Sequence, residues 1–355
     1  MKKVLYLSNI EVPYRVRFFN ELARHCELTV LYERQRSANR DAKWTQSEER
    51  RYQVKYLHGI KLGGENSFSL GILKDVLSDY DHVIVGCFNS PSQMLAMLVM
   101  RLFRRKYILN LDGEPFLEGG GLKGKIKRFF VKKASKYLVA GEKAAESVAK
   151  IVGDRPVFAY PFSSLTRQEN ADHAALANRC QRSDTVLVVG QYFDYKGMDV
   201  ALAAARLDHT IRYKFVGMGG RTELFRQEQQ VPENVELIDF LQKQDLEQEY
   251  QTCGMLVLPT RQECWGLVVN EAASFGMPIV STRGSGAAVE FLADGYSEYL
   301  AEPDDPRSLY MAILCLKSKK NNEEYEKYLV EKAGKYSIED CVDAHLMCMG
   351  EEALT

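Results

Sequence analysis

The chain has no CxxC pair among its eight cysteines, at 26, 87, 180, 253, 264, 315, 341 and 348, and no histidine at zinc-finger spacing. A disulfide framework and a structural metal site are therefore not expected; buried free thiols in a reducing compartment fit better. Net charge is nearly absent as well. The 47 Lys and Arg against 48 Asp and Glu leave −1, so nothing draws the whole molecule to nucleic acid, and any electrostatic preference must be local. Long apolar runs are missing: the longest, MLAMLVM at 94–100, falls far below the roughly 18 residues of a membrane span. The opening MKKVLYLSNIEVPYR is too short in its apolar part for a signal peptide and reads as a first strand. No low-complexity tract or short internal repeat occurs. The G-x-G-x-x-G fingerprint is also lacking. NIEVPYR follows the first strand, and FVGMGGR (215–221) is followed by Thr222. Both departures disfavour a dinucleotide dehydrogenase.

What the chain does have is length and alternation. Its 355 residues favour two domains over one. Short β-branched runs at 3–8, 27–33, 82–87, 107–112, 136–141 and 157–162 alternate with amphipathic helical patterns. In YRVRFFNELARH (14–25), Val16, Phe19, Leu22 and Ala23 share one helical face. The alternation resumes with strands at 185–191, 213–219, 235–240, 255–260 and 278–282. Such a pattern predicts α/β architecture with parallel sheets covered on both faces. The polar stretch 163–184 lacks a strand signal and is expected to be a hinge. The expected domains are 1–164 and 165–337, two α/β units. A last helix, 338–355, is expected to pack back on the first half.

TRQECWGLVVNEAASFGMPIVST (260–282) carries two glutamates, Glu263 and Glu271, around a Trp-Gly and a short apolar run. MLVLPT reads as a buried strand and LVVNEAASF as a helix ended by Gly276, with Pro278 opening the next strand. RQECWG is then the loop at the carboxyl end of a parallel strand, where open α/β sheets bind ligands. It feeds a helix start whose free amides and partial positive charge suit a phosphate, and Gly266 permits close backbone approach. Carboxylates do not bind phosphate, but they accept hydrogen bonds from sugar hydroxyls, and two of them flanking a diphosphate site outline a nucleotide-sugar. The pair also fits a solvated helix face with one loop carboxylate. VVGQYFDYKGMD (188–199) repeats the strand–loop–helix arrangement, with Lys196 before Gly197 at the helix start, where a cation reaches phosphate oxygens. A plain surface lysine is the competing reading. FVGMGGR, with Gly217, is a third Gly-rich strand end.

These residues resemble the retaining glycosyltransferases of family 4 with the GT-B fold, two Rossmann-like domains facing a central cleft. The E-x7-E element is Glu263 to Glu271, and the G-(R/Q)-x4-K-G element is Gly190 to Gly197. The likeness runs over the whole chain and is most specific in 185–305. PYRVRFFNEL (13–22), LDGE (111–114) and YPFSSL (160–165) are similar to a branch found in bacterial surface-polysaccharide clusters. The resemblance implies catalytic roles for Glu263, Lys196 and Asp112. Lys196 would hold the donor diphosphate and Glu271 the ribose. Glu263, with the backbone from Cys264 through Trp265 and Gly266 to Leu267, would hold the donor sugar. Gly190, Gln191, Gly217 and Leu241 complete the implied donor site, and Asp112 would position sugar or acceptor. The family often has Arg where Gln191 stands, which leaves one phosphate charge without its usual partner. In place of a Gly-Gly loop after the first strand, Asn9 and Arg15 are candidates on the acceptor side, with loop packing as the equal alternative.

The implied reaction is retaining transfer from a nucleoside diphosphate sugar, a UDP-sugar by family, to a hydroxyl of a glycan acceptor. The acceptor would be polyprenyl-diphosphate-linked, in capsule, exopolysaccharide or O-antigen synthesis. No cofactor, metal or nucleic-acid partner is expected. A nucleotide-sugar epimerase of the same fold and a non-catalytic nucleotide-sugar-binding partner are the alternatives; donor turnover with and without acceptor separates transfer from epimerisation. GLKGKIKRFFVKKASKY (121–137) contains seven basic residues, including Lys125, Lys127, Lys132 and Lys133, and no acid. It reads as a solvated basic helix face or as the contact with an anionic membrane. The expected location is the cytoplasm, peripheral on the inner face of the membrane.

Overall fold

The computed structural model describes residues 1–34, 49–61, 67–113, 122–177, 179–319 and 322–350. Glu114 of the LDGE motif, Gly121 before the basic helix, Asn178 in the expected hinge and the final five residues lie outside the described residues. The chain divides into two compact units, Met1–Ser164 with Ile338–Thr355, and Leu165–Ser337.

The first unit is built on seven strands: β1 Lys3–Ile10, β2 Glu27–Arg34, β3 Gln53–Tyr56, β4 His82–Val85, β5 Ile108–Leu111, β6 Lys136–Ala140 and β7 Val157–Tyr160. They pair in the order β3-β2-β1-β4-β5-β6-β7, all parallel. Parallel strands covered on both faces are buried along their length. Val4 to Leu7 and Ile108 to Leu111 show no exposed position, and each large apolar side chain so buried stabilises by roughly 1.5–3 kcal/mol. Helix α1 (Pro13–Leu22) starts with Pro in its first turn and buries Val16, Phe18, Phe19 and Leu22. Helices α2 (Pro91–Leu102) and α3 (Leu122–Val131) follow β4 and β5. On α3 Phe130 is buried, as is Ala134 just beyond the helix, whereas Ile126 and Phe129 are exposed.

The second unit has β8 Val186–Val189, β9 Tyr213–Val216, β10 Val235–Ile238, β11 Met255–Leu258, β12 Ile279–Thr282 and β13 Leu300–Ala301. Their order is β10-β9-β8-β11-β12-β13, again all parallel. In both sheets the third strand forms one edge and the fourth returns to the other side of the first, so in the second unit the switch point lies between β8 and β11. The α/β class and the two parallel sheets are as expected from the sequence.

Of the stretch expected to be a hinge, 163–184, helix α4, Arg167–Ala177, occupies half. A reciprocal cap opens α4: Thr166 N donates to Glu169 Oε2 at 2.8 Å, and Glu169 N donates to Thr166 Oγ1 at 3.1 Å. Further helices named below are α5 (Met198–Ala205), α6 (Lys243–Thr252), α7 (Leu267–Ser274) and α8 (Ile338–Met349).

Candidate active site

The loops leaving β8 and β11 are zipped together at the switch point. After β8 the chain makes a 3₁₀ turn, Asp194–Lys196, and enters α5 through Gly197. Gly197 has φ +66°, and a Cβ there would stand 2.0 Å from the Pro259 carbonyl oxygen, so only glycine fits. The Tyr195 carbonyl accepts from Thr260 Oγ1 at 2.7 Å and Arg261 N at 2.9 Å. The Arg261 guanidinium grips the same segment. It donates to both Asp199 oxygens at 2.9 and 2.7 Å, to the Asp194 carbonyl at 2.6 Å and to Asp304 Oδ1 at 2.8 Å. Burial opposes ionisation of Asp199, but the Arg261 fork outweighs it and holds the carboxyl below its usual range.

That zipper brings Lys196 and Glu263 into contact as an ion pair between Nζ and Oε1. The Glu263 backbone is fixed in turn against the loop after β12. Its N donates to Gly284 O at 2.8 Å and its carbonyl accepts from Gly286 N at 3.2 Å. Glu263 Oε2 is buried and has no hydrogen-bond partner among the described residues.

Gly266, with φ +113°, turns the chain into α7, where Val269 N donates to Gly266 O at 2.9 Å and the amides of Leu267 and Val268 precede the hydrogen-bonded turn. Glu271 lies within α7, half-buried, and its Oε2 accepts from Tyr250 on α6 at 3.0 Å. Burial, reinforced by Glu271, pushes the Tyr250 hydroxyl far above its ordinary pKa, so it remains a donor. Gln191 lies beside Gly219, where an added Cβ would meet its Nε2 at 3.1 Å. Gly217 N donates to Ile238 O at 3.0 Å. Leu241 is half-buried and Cys264 exposed. The Trp265 indole points into the core, donating to Asn270 Oδ1 at 2.8 Å, and its carbonyl accepts from Ser285 Oγ.

In the first unit Asp112 follows β5. Its Oδ1 accepts from Arg15, from Asn110 Nδ2 at 3.1 Å and from Tyr160 OH at 2.9 Å. Arg15 is itself buried and also meets Tyr6 OH at 3.2 Å, so its charge serves Asp112. Asn9 Oδ1 accepts from Ile10 N at 2.9 Å. Lys125, Lys132 and Lys133 are exposed and Lys127 half-buried. Among the described residues no group of three or more His, Cys, Asp or Glu is arranged to hold a metal ion.

Residues 183–319 match the family model of glycosyl transferases group 1. The matched segment holds every donor-side residue described above. An uncharacterized glycosyltransferase of Methanocaldococcus jannaschii, MJ1178, is 32% identical over 165 residues, 44% of this chain and 45% of that one. One from Haemophilus influenzae is 28% identical over 126 residues, 34% of this chain and 36% of that one. The chain thus spans less than half the length of these curated relatives. Among solved structures, Anabaena Alr3699/HepE in complex with UDP superposes with a TM-score of 0.70 at 14% identity, covering 98% of this chain and 99% of that one. WaaG, a glycosyltransferase involved in lipopolysaccharide biosynthesis, gives 0.64 at 15%, covering 98% and 100%. At these identities the likeness establishes the fold, which is that of GT-B glycosyltransferases. The resemblance to glycosyltransferases read from the sequence is borne out at the level of the group and the fold. Family 4 and the surface-polysaccharide branch are finer than these matches reach.

Arg261, Tyr250, Asp199 and Asp304 are the residues that sequence reasoning passed over. Arg261 stands two positions before Glu263, yet its residue type and spacing gave no hint of three acidic partners.

Proposed function

We propose that the chain is a metal-independent retaining glycosyltransferase that moves a sugar from a UDP-sugar to a hydroxyl of a lipid-linked glycan. The observation that carries this reading is the meeting of Lys196 and Glu263 at the switch point, beside the opening turn of α7 and with Glu271 further along that helix. Departure of the sugar leaves negative charge on the diphosphate. Lys196 and the α7 amides are fixed where they stabilise that charge as it develops. Glu263 Oε2, buried without a partner, accepts a sugar hydroxyl, and Glu271, steadied by Tyr250, accepts the ribose hydroxyls. Retention corresponds to attack from the face the diphosphate leaves, with the leaving phosphate taking the acceptor proton. Asp112, held by Arg15, positions the acceptor or the sugar.

Support for the donor comes from Anabaena Alr3699/HepE, solved with UDP and with UDP-glucose. Support for a lipid-linked surface glycan comes from WaaG and from a Klebsiella pneumoniae protein of the cps region, 25% identical over 150 residues. A lipid-linked acceptor places the enzyme peripherally on the cytoplasmic membrane face, where basic α3 suits anionic headgroups.

Calorimetry against a nucleotide-sugar panel tests the donor site. UDP-sugars are expected to bind, and Glu271→Ala to weaken binding by about 1–3 kcal/mol, the cost of hydrogen bonds lost at a buried group. Absence of binding by every nucleotide-sugar overturns the reading. Turnover that needs acceptor and survives chelation distinguishes a metal-free transferase from an epimerase.

A further inference from the structure

The two charged groups of the donor site are bonded to each other. Lys196 and Glu263 side chains are 18% and 19% exposed, so their attraction is only partly screened by water. Neither has freedom to move far away. Lys196 is set by the 3₁₀ turn and the Gly197–Pro259 contact, and Glu263 is tied through its own N and O to Gly284 and Gly286. A diphosphate oxygen that approaches Lys196 therefore displaces a carboxylate and then remains beside it. For a bare nucleoside diphosphate this is loss of an ion pair plus like-charge repulsion. An intact donor also brings a sugar hydroxyl, which satisfies Glu263 Oε2, the oxygen buried without a partner. That hydrogen bond offsets the repulsion, because leaving a buried acceptor unmade is costly.

We infer that Glu263 is an internal competitor for Lys196, and that the site thereby holds an intact nucleoside diphosphate sugar in preference to the spent nucleoside diphosphate. Once the sugar has left, Oε2 is bare again, Glu263 reclaims Lys196, and the spent carrier is expelled. The inference rests on the donor reading above and assigns to Glu263 a second task, discrimination between substrate and product.

The sign of the expected effect is opposite to that of an ordinary binding residue. Calorimetry with UDP on the full chain, its E263Q and K196M variants and the double variant tests it. E263Q is expected to bind UDP on the order of tenfold tighter than the parent chain. The gain is expected to vanish in the K196M background, because the competition acts through the lysine. The nucleotide-sugar selected by the panel is expected to gain nothing, or to bind E263Q more weakly. Unchanged or weaker UDP binding by a folded E263Q overturns the inference while leaving the donor reading intact, as does a gain that persists undiminished in K196M. If none of the four proteins binds UDP, the donor reading falls and the inference with it. Should E263Q unfold, E263A carries the same expected sign, since it too removes the charge.

Discussion

Tyr250 is 1% exposed and spends its hydroxyl on Glu271 Oε2 at 3.0 Å. That bond holds the carboxylate in the rotamer that the donor reading assigns to the ribose. Tyr250→Phe keeps the ring in place and is expected to weaken UDP binding by about 1 kcal/mol, one hydrogen bond's worth; equal calorimetric affinity in a folded variant would show that Glu271 is held by packing alone. Arg261 acts on the other side of the site. Its removal strands Asp199 and Asp304 and loosens the turn that carries Lys196. Arg261→Gln is expected to lower UDP affinity by about 2 kcal/mol, the scale of charge-assisted bonds. Arg261→Lys is expected to recover thermal stability more than affinity, because an ammonium has no planar fork to span both acids; full recovery of affinity would reduce Arg261 to a source of charge. Glu263, Glu271 and Lys196 were legible because each lies at a strand end or helix start within a few residues of a glycine. Their supports were not, because Tyr250, Asp199 and Asp304 belong to other elements and are brought close only by the sheet order.

The same distinction holds for whole elements. Strands β1, β2, β8 and β11 were readable as apolar runs because burial on both faces removes polar positions. Strand β3, with exposed Gln53 and Lys55 on the sheet edge, has no such run and went unseen. Helix α4 was read as a linker because its inward stripe is polar: Asn170 and His173 are its buried side chains. Asn170 Nδ2 donates to Tyr336 O at 2.9 Å and His173 Nδ1 meets Ser274 Oγ at 2.8 Å, so hydrogen bonds replace apolar packing there. TRQE at 166–169, the capping box, was the signal available. Helix α8 also carries a buried histidine. His345 packs among Tyr6, Phe18 and Tyr160 and meets Asn110 and the Cys341 carbonyl, with Arg15, Asp112 and the Cys341 thiol as the nearby titratable groups. Burial lowers its pKa from the ordinary 6.5 to about 4. The unfolded chain then takes up a proton that the folded unit refuses, so stability is full above pH ~6.5 and falls as pH drops toward ~4, by up to about 3 kcal/mol. His345→Gln is expected to flatten the fall in Tm between those pH values. His173, also lowered to about 4 by burial, stays as an internal reference; an unaltered pH slope would assign the acid sensitivity elsewhere.

At the scale of the molecule, a net charge of −1 conceals an uneven distribution. Segments 98–106 and 122–136 contain eleven Lys and Arg and no acid. The structure adds what the sequence did not show: apolar side chains stand among these cations. Leu98, Leu102 and Phe103 at the end of α2 are 42%, 78% and 64% exposed, and Ile126 and Phe129 on α3 are 39% and 44% exposed. The two helices meet where the Arg101 guanidinium lies 4.4 Å from the Phe129 ring centre. Cations gain about 1 kcal/mol each near an anionic leaflet, and apolar side chains among them can enter the headgroup boundary as an interfacial helix does. Sedimentation with vesicles separates the two contributions. Binding is expected to rise with anionic lipid and to weaken with salt. Changing Lys125, Lys127, Lys132 and Lys133 to Gln is expected to cost about 4 kcal/mol at low salt. Changing Phe103 and Phe129 to Ser is expected to weaken binding at every salt concentration, because burial of apolar area is not screened. Indifference to lipid charge would make α3 an ordinary solvated face and would require the acceptor to reach the enzyme from solution. Salt sensitivity without any effect of the two phenylalanines would mean that the charges hold the protein at the surface while the rings stay in water.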